Sequence, residues 1–95
     1  RILISAASAW EIATKVRIGK LPGAQAVAAN FHACVINQGF TPLDITVDHA
    51  LRAGSLPGPH RDPFDRMLIA QAQALNIPLI SNEHLFDHYG IQRIW

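Results

Sequence analysis

A chain of 95 residues with 49% hydrophobic and 16% charged side chains has room for one small domain and enough apolar surface for a core, which argues against disorder. Its formal net charge of +1 is too small to act as a basic field, so any nucleic-acid binding must come from local geometry. A single cysteine, Cys34, excludes an internal disulfide and a cysteine-rich zinc site. No run approaches the ~18 continuous apolar residues of a membrane span and no basic-then-apolar leader opens the chain, so a cytoplasmic protein without a membrane partner is expected.

Ile2-Leu3-Ile4 reads as a short buried strand, and the Ser5–Ser8 segment leads into a helix from about Ala7 to Ile18 that Gly19 stops. No turn or polar tail precedes that strand, as in a chain entered mid-fold. After the Lys20-Leu21-Pro22-Gly23 turn, the spacing of Val27, Phe31, Cys34 and Val35 predicts one alanine-rich helix from about Gln25 to Asn37, ending near Gly39. Leu43-Asp44-Ile45 is the next candidate strand. Thr46 is placed to cap a short helix through about Ala53, and the glycines and prolines of Gly54 to Arg61 mark a loop.

Asp62 followed by Pro63 is a strong helix start, with Asp62 as N-cap and Pro63 at the first helical position. That helix runs to about Leu75 with Leu68, Ile69, Ala72 and Leu75 as its apolar stripe, and Asn76 ends it. Stepping back at helical spacing from Leu68 and Ile69 reaches Asp65, so a carboxylate heads the buried stripe. Ile77-Pro78-Leu79-Ile80-Ser81 then reads as a strand with its proline near the start, Glu83 to His88 as a short helix, and Ile91 to Trp95 as a last strand. Helices alternating with short apolar strands predict an α/β fold with a mainly parallel sheet, formed by residues 1–95 as a single domain.

In such sheets sites form beyond the carboxyl ends of the strands. Glu11, Asp65 and Glu83 all fall in that zone. Three converging carboxylates repel one another unless divalent cations neutralise them, and an all-oxygen donor set favours Mg2+ or Mn2+. Clusters of this kind suit phosphodiester hydrolysis, where a metal activates water. Each acid also has a plain reading. Glu11 at i, i+4 from Lys15 makes an ordinary surface pair, and an acid at position 83 or 65 is stabilised by the dipole of a helix first turn. The case rests on their agreement.

The segments Ser5-Ala6-Ala7-Ser8-Ala9-Trp10-Glu11-Ile12-Ala13-Thr14-Lys15, Arg61-Asp62-Pro63-Phe64-Asp65-Arg66-Met67-Leu68-Ile69-Ala70-Gln71-Ala72 and Leu79-Ile80-Ser81-Asn82-Glu83-His84-Leu85-Phe86-Asp87 closely resemble the PIN-domain ribonucleases, specifically the VapC-like toxins of bacterial toxin-antitoxin pairs. The resemblance covers the whole chain, including the closing Gly-Ile-Gln-Arg-Ile-Trp. It implies a three-layer α/β/α sandwich and a metal-dependent endoribonuclease. Glu11, Asp65 and Glu83 fall on three of the family's four acidic metal positions, with Ser81 and Asn82 as supporting polar neighbours. Arg61 and Arg66 are candidates for RNA phosphate contact, although Arg66 is also spaced to pair with Asp62. The implied partners are RNA, a cognate antitoxin and a second copy of the chain.

Two departures from the family pattern stand out. Glu83 occupies a position where the family usually has aspartate. Members also begin with a strand ending in aspartate that sits in the centre of the sheet, and nothing before Ile2 supplies it. The expectation is therefore an amino-terminally truncated PIN-like domain, impaired as a nuclease and prone to associate through exposed sheet edges. The alternative is a non-catalytic fragment that binds an antitoxin or other partner. Two further readings are weaker. A nucleotide-binding domain would need a glycine-rich phosphate loop, and Gly54-Ser55-Leu56-Pro57-Gly58 lacks the lysine. A zinc site at His84 and His88 lacks the glutamate between them that a His-Glu-x-x-His helix supplies.

Overall fold

The computed structural model describes residues 2–58, 62–80, 89, 90, 93 and 94. The chain divides into two compact units, Arg1–Asp44 and Ile45–Trp95.

In the first unit β1 (Leu3–Ser5) runs directly into α1 (Ala6–Arg17). Ser5 makes this possible: its backbone stays extended while its hydroxyl accepts the Ala7 N–H at 3.0 Å, satisfying one donor of the new helix. Lys15 and Arg17 in the last turn suit the negative end of the helix dipole, and Gly19 turns the chain away at φ 77°. The single alanine-rich helix expected from Gln25 to Asn37 is instead two, α2 (Gln25–Ala29) and α3 (Phe31–Asn37). The break falls at Asn30, whose φ of −125° and ψ of 32° leave the helical region while its side-chain amide donates to the Ala26 carbonyl. An asparagine that satisfies backbone groups with its own side chain offers the chain an alternative to continued helix.

The strand β2 (Thr41–Leu43) lies two residues earlier than the sequence suggests. Once Gly39 has ended α3 at φ 79°, the Phe40 N–H closes onto Val35 and Thr41 is already extended, donating to the Ile2 carbonyl. β1 and β2 pair in parallel, Leu3 opposite Thr41 and Ser5 opposite Leu43, with α1 to α3 as the crossover. Pro42 has no N–H to give, which suits a strand at the edge of its ladder.

The second unit is built on a helical hairpin. α4 (Val47–Ser55) starts at Thr46, whose hydroxyl accepts the His49 N–H while the His49 ring accepts the Thr46 N–H, a capping box with histidine in the place usually held by Glu or Gln. α5 (Pro63–Leu75) starts as its sequence predicts: Asp62 accepts the N–H groups of both Phe64 and Asp65, and Asn76 closes the helix in the left-handed conformation. Contacts run in opposite order along the two helices, Arg66 with Ala53 and Gln71 with His49, so they pack antiparallel. Ile69, Ala70, Gln71 and Ala72 form the buried face of α5. That face is rotated from the predicted stripe, and Leu75 is 41% exposed. β3 (Leu79–Ile80) and β4 (Arg93–Ile94) make a second parallel pair. The predicted helix from Glu83 to His88 lies outside the described residues.

Helices between parallel strand pairs make this an α/β fold. Among the described residues no helix is long and apolar enough to cross a membrane.

Candidate functional site

Glu11 is placed by α1. One turn before it, Ala7 is fully buried, so the helical face that carries Glu11 is the one turned to the interior at its start. The Glu11 side chain keeps 24% of its exposure and its Oε2 lies 2.7 Å from the Lys15 ammonium. Lys15, 44% exposed, is one turn further along the same face. The ordinary i, i+4 pair anticipated from spacing is therefore formed. It also leaves the carboxylate open to solvent on one side.

Asp65 is placed by α5. It stands in the first turn, half-buried, one turn before Ile69, which has no exposed surface. Capping of this helix is the work of Asp62, whose Oδ1 receives the Phe64 N–H at 2.8 Å and the Asp65 N–H at 3.2 Å. The division of labour between the two aspartates, Asp62 as cap and Asp65 at the head of the buried face, is the one the sequence predicts. Asp65 also gains from the positive end of the helix dipole.

Arg66, a candidate for phosphate contact, is drawn into the hairpin. Its Nε donates to the Ala53 carbonyl at 3.1 Å and its Nη2 to the Leu56 carbonyl. Those acceptors lie at the end of α4, where carbonyls have no partner within the helix, so the guanidinium closes that helix and ties it to α5. Glu83, Ser81, Asn82 and Arg61 lie outside the described residues.

Two features escaped the sequence reading. Asp44, assigned there to the middle of a strand, follows the carboxyl end of β2, the side on which parallel sheets build their sites. The signal was available in Gly39, which fixes where the chain can turn extended. The second is a buried polar group within the hairpin. His49 Nδ1 lies 3.2 Å from Gln71 Nε2 and 3.2 Å from the Thr46 N–H, so it accepts and the ring hydrogen sits on Nε2. An open groove of about 690 Å³ runs beside this group, bordered by Thr46, Asp48, Arg52 and Leu75. Of the predicted acids among the described residues, neither Glu11 nor Asp65 lines it.

Among the described residues no three His, Cys, Asp or Glu side chains come together as a metal-holding group. The donor chemistry of those that are described is nonetheless suited to one class of ion. Glu11 and Asp65 offer only carboxylate oxygens, hard donors that fit a magnesium-like or manganese-like cation and not a thiophilic one.

The sequence profile of the PIN domain matches residues 1–92. The chain belongs to the PIN domain family. PIN domains are typically nucleases that use divalent metal ions, and the α/β fold agrees with that membership. Comparison with curated proteins and with solved structures returns no match.

Proposed function

We propose that this PIN-domain chain is a metal-dependent endoribonuclease of the VapC-like toxin type, acting on RNA phosphodiester bonds. The observation that carries this reading is Asp65. It heads the buried face of α5 while a different aspartate does the capping, in a chain whose PIN profile spans residues 1–92. The proposed ligand set is Glu11, Asp65 and Glu83, with Ser81 and Asn82 as polar neighbours and Arg61 toward the RNA backbone. A bound Mg2+ or Mn2+ would supply activation of water and charge neutralisation at phosphorus. The chain's own part is to hold carboxylates at fixed helix positions: Ser5 and the buried Ala7 set the face of α1, and Asp62 with Arg66 sets the start of α5.

The finer architecture proposed is the three-layer α/β/α sandwich. Two parallel pairs of two strands support it, because parallel ladders are stable chiefly within larger, covered sheets. The proposed partners are a cognate antitoxin and a second copy of the chain. Trp10, 55% exposed, together with exposed Ile18, Val27 and Ile36, gives the first unit apolar surface of the kind partners cover.

A second reading has one observation in its favour. The Glu11–Lys15 pair is what a non-catalytic, partner-binding domain would also show. Cleavage of a labelled RNA in Mn2+, with Asp65→Asn beside the parent chain, separates the two. The nuclease reading expects cutting that chelator and Asp65→Asn both abolish. Antitoxin binding unaffected by Asp65→Asn, with no metal-dependent cutting, would establish the binding domain instead.

A further inference from the structure

We propose that the Lys15 ammonium is the resident counter-ion of the Glu11 carboxylate, and that a divalent cation reaching Glu11 must displace it. The inference rests on the reading of Glu11 as a metal ligand given above and adds a control on how tightly the ion is held.

Three observations carry it. Glu11 is the sole acid of α1, and the first 44 residues hold four cationic side chains, Arg1, Lys15, Arg17 and Lys20, against two carboxylates, Glu11 and Asp44. A divalent ion at Glu11 therefore meets a helix whose last turn already carries Lys15 and Arg17. Next, the pair is direct, with Nζ to Oε2 at 2.7 Å, so ammonium and metal cannot both occupy that oxygen's open side. Last, the pair is partly exposed, 44% for Lys15 and 24% for Glu11, and an i, i+4 pair of this kind is weak in water. A weak tie is one that a doubly charged ion can break. The helix keeps Lys15 one turn away after displacement, so its charge continues to oppose the ion.

The sign of the effect follows. Removing the charge at position 15 strengthens metal binding, whereas a lysine that held a water or the carboxylate in place for the metal would weaken binding on removal. Relief of Coulomb repulsion acting over about 7 Å in water-like surroundings predicts a gain of roughly three- to tenfold in Mn2+ affinity for Lys15→Met, with Lys15→Arg close to the parent chain.

The test is Mn2+ titration of the purified chain, read as free Mn2+ by electron paramagnetic resonance, for the parent, Lys15→Met, Lys15→Arg and Asp65→Asn. Circular dichroism checks that each variant is folded. Tighter binding by Lys15→Met together with parent-like binding by Lys15→Arg is the expected result. Unchanged or weaker binding by Lys15→Met overturns the proposal, and if Asp65→Asn still loses the ion, the site reading survives that failure. No binding by the parent or by Lys15→Met overturns both, whereas binding by Lys15→Met alone supports the counter-ion role. A second readout needs no activity: the Lys15 Cε resonance should shift as Mg2+ is added to the parent chain and stay fixed in Glu11→Gln. A Cε resonance that ignores Mg2+ in the parent overturns displacement.

Discussion

The two units of this chain solve the same problem by different means. In the second, two antiparallel helices enclose a short buried face of Ile69, Ala70, Gln71, Ala72, His49 and Ala53, and side chains tie the ends: Arg66 to the carbonyls of Ala53 and Leu56, Gln71 to His49, Gln73 to the Tyr89 carbonyl. In the first, the buried residues among those described are Ser5, Ala7 and Val35, and Trp10, Ile18, Leu21, Val27 and Ile36 stay exposed. The side-chain hydrogen bonds of Ser5, Lys15 and Asn30 to Ala7, Glu11 and Ala26 are local, within α1 or α2 and their caps. The second unit carries specific side-chain ties between its two helices, and the first joins its two strands in a parallel ladder across a helical crossover. Apolar surface left open is surface still available for burial elsewhere.

The strongest challenge to that contrast is Ile69→Ala, which empties the largest fully buried side-chain position among the described residues and should cost about 2–5 kcal/mol in urea unfolding. Amide hydrogen exchange on the same variant should show faster exchange through α4 and α5 with little change in α1. Equal acceleration in both units would show that they unfold as one body and would remove the contrast. Next in size is His49→Ala, which leaves the buried Gln71 amide and the Thr46 N–H without their acceptor and should cost about 1–3 kcal/mol. Here the double variant with Gln71→Leu sharpens the point, because removing both partners should cost less than the two single losses added together. Full additivity would mean the pair is not a coupled network. Asp62→Ala comes third, at about 1 kcal/mol for a lost N-cap, and should lower metal affinity only slightly if capping and ligation are divided between Asp62 and Asp65. A loss of Mn2+ binding as complete as that of Asp65→Asn would reverse the assignment. The smallest effect is Lys15→Met, expected within about 0.5 kcal/mol for a partly exposed helix pair. A cost several times larger would show that the first unit also leans on a specific polar tie.

Local chemistry was legible in the sequence and tertiary placement was not. The start of α5 follows from Asp62-Pro63 alone, because cap and ring act within one turn, and the structure has it where expected. The stop of α1 at Gly19, the Thr46 cap and the parallel pairing of strands were readable for the same reason or from the alternation of elements. The break at Asn30 was missed because apolar spacing continues through it, and only the side-chain amide's competition for Ala26 reveals the end of α2. Periodicity places Leu75 in the core, yet which face of α5 is buried is decided by α4, whose His49 pairs with Gln71. No rule of spacing predicts a buried histidine and glutamine meeting across 22 residues. At the candidate site, helix periodicity located Glu11 and Asp65 on the faces they occupy, and the same i, i+4 rule anticipated Lys15. What spacing could not supply was the fate of Arg66, because its carbonyl partners become acceptors only once α4 ends beside α5.

Gly58 carries a consequence for how this surface tolerates mutation. It is exposed, its φ is 113°, and a Cβ there would lie 2.8 Å from the Tyr89 ring. A position open to solvent thus has the substitution profile of a buried one, since any side chain meets both an unfavourable backbone and an aromatic wall. In a saturation library selected for folded protein, position 58 should accept glycine alone, while the neighbouring exposed Pro57 tolerates replacement. Surface exposure would then be a poor guide to which loop residues this chain can lose.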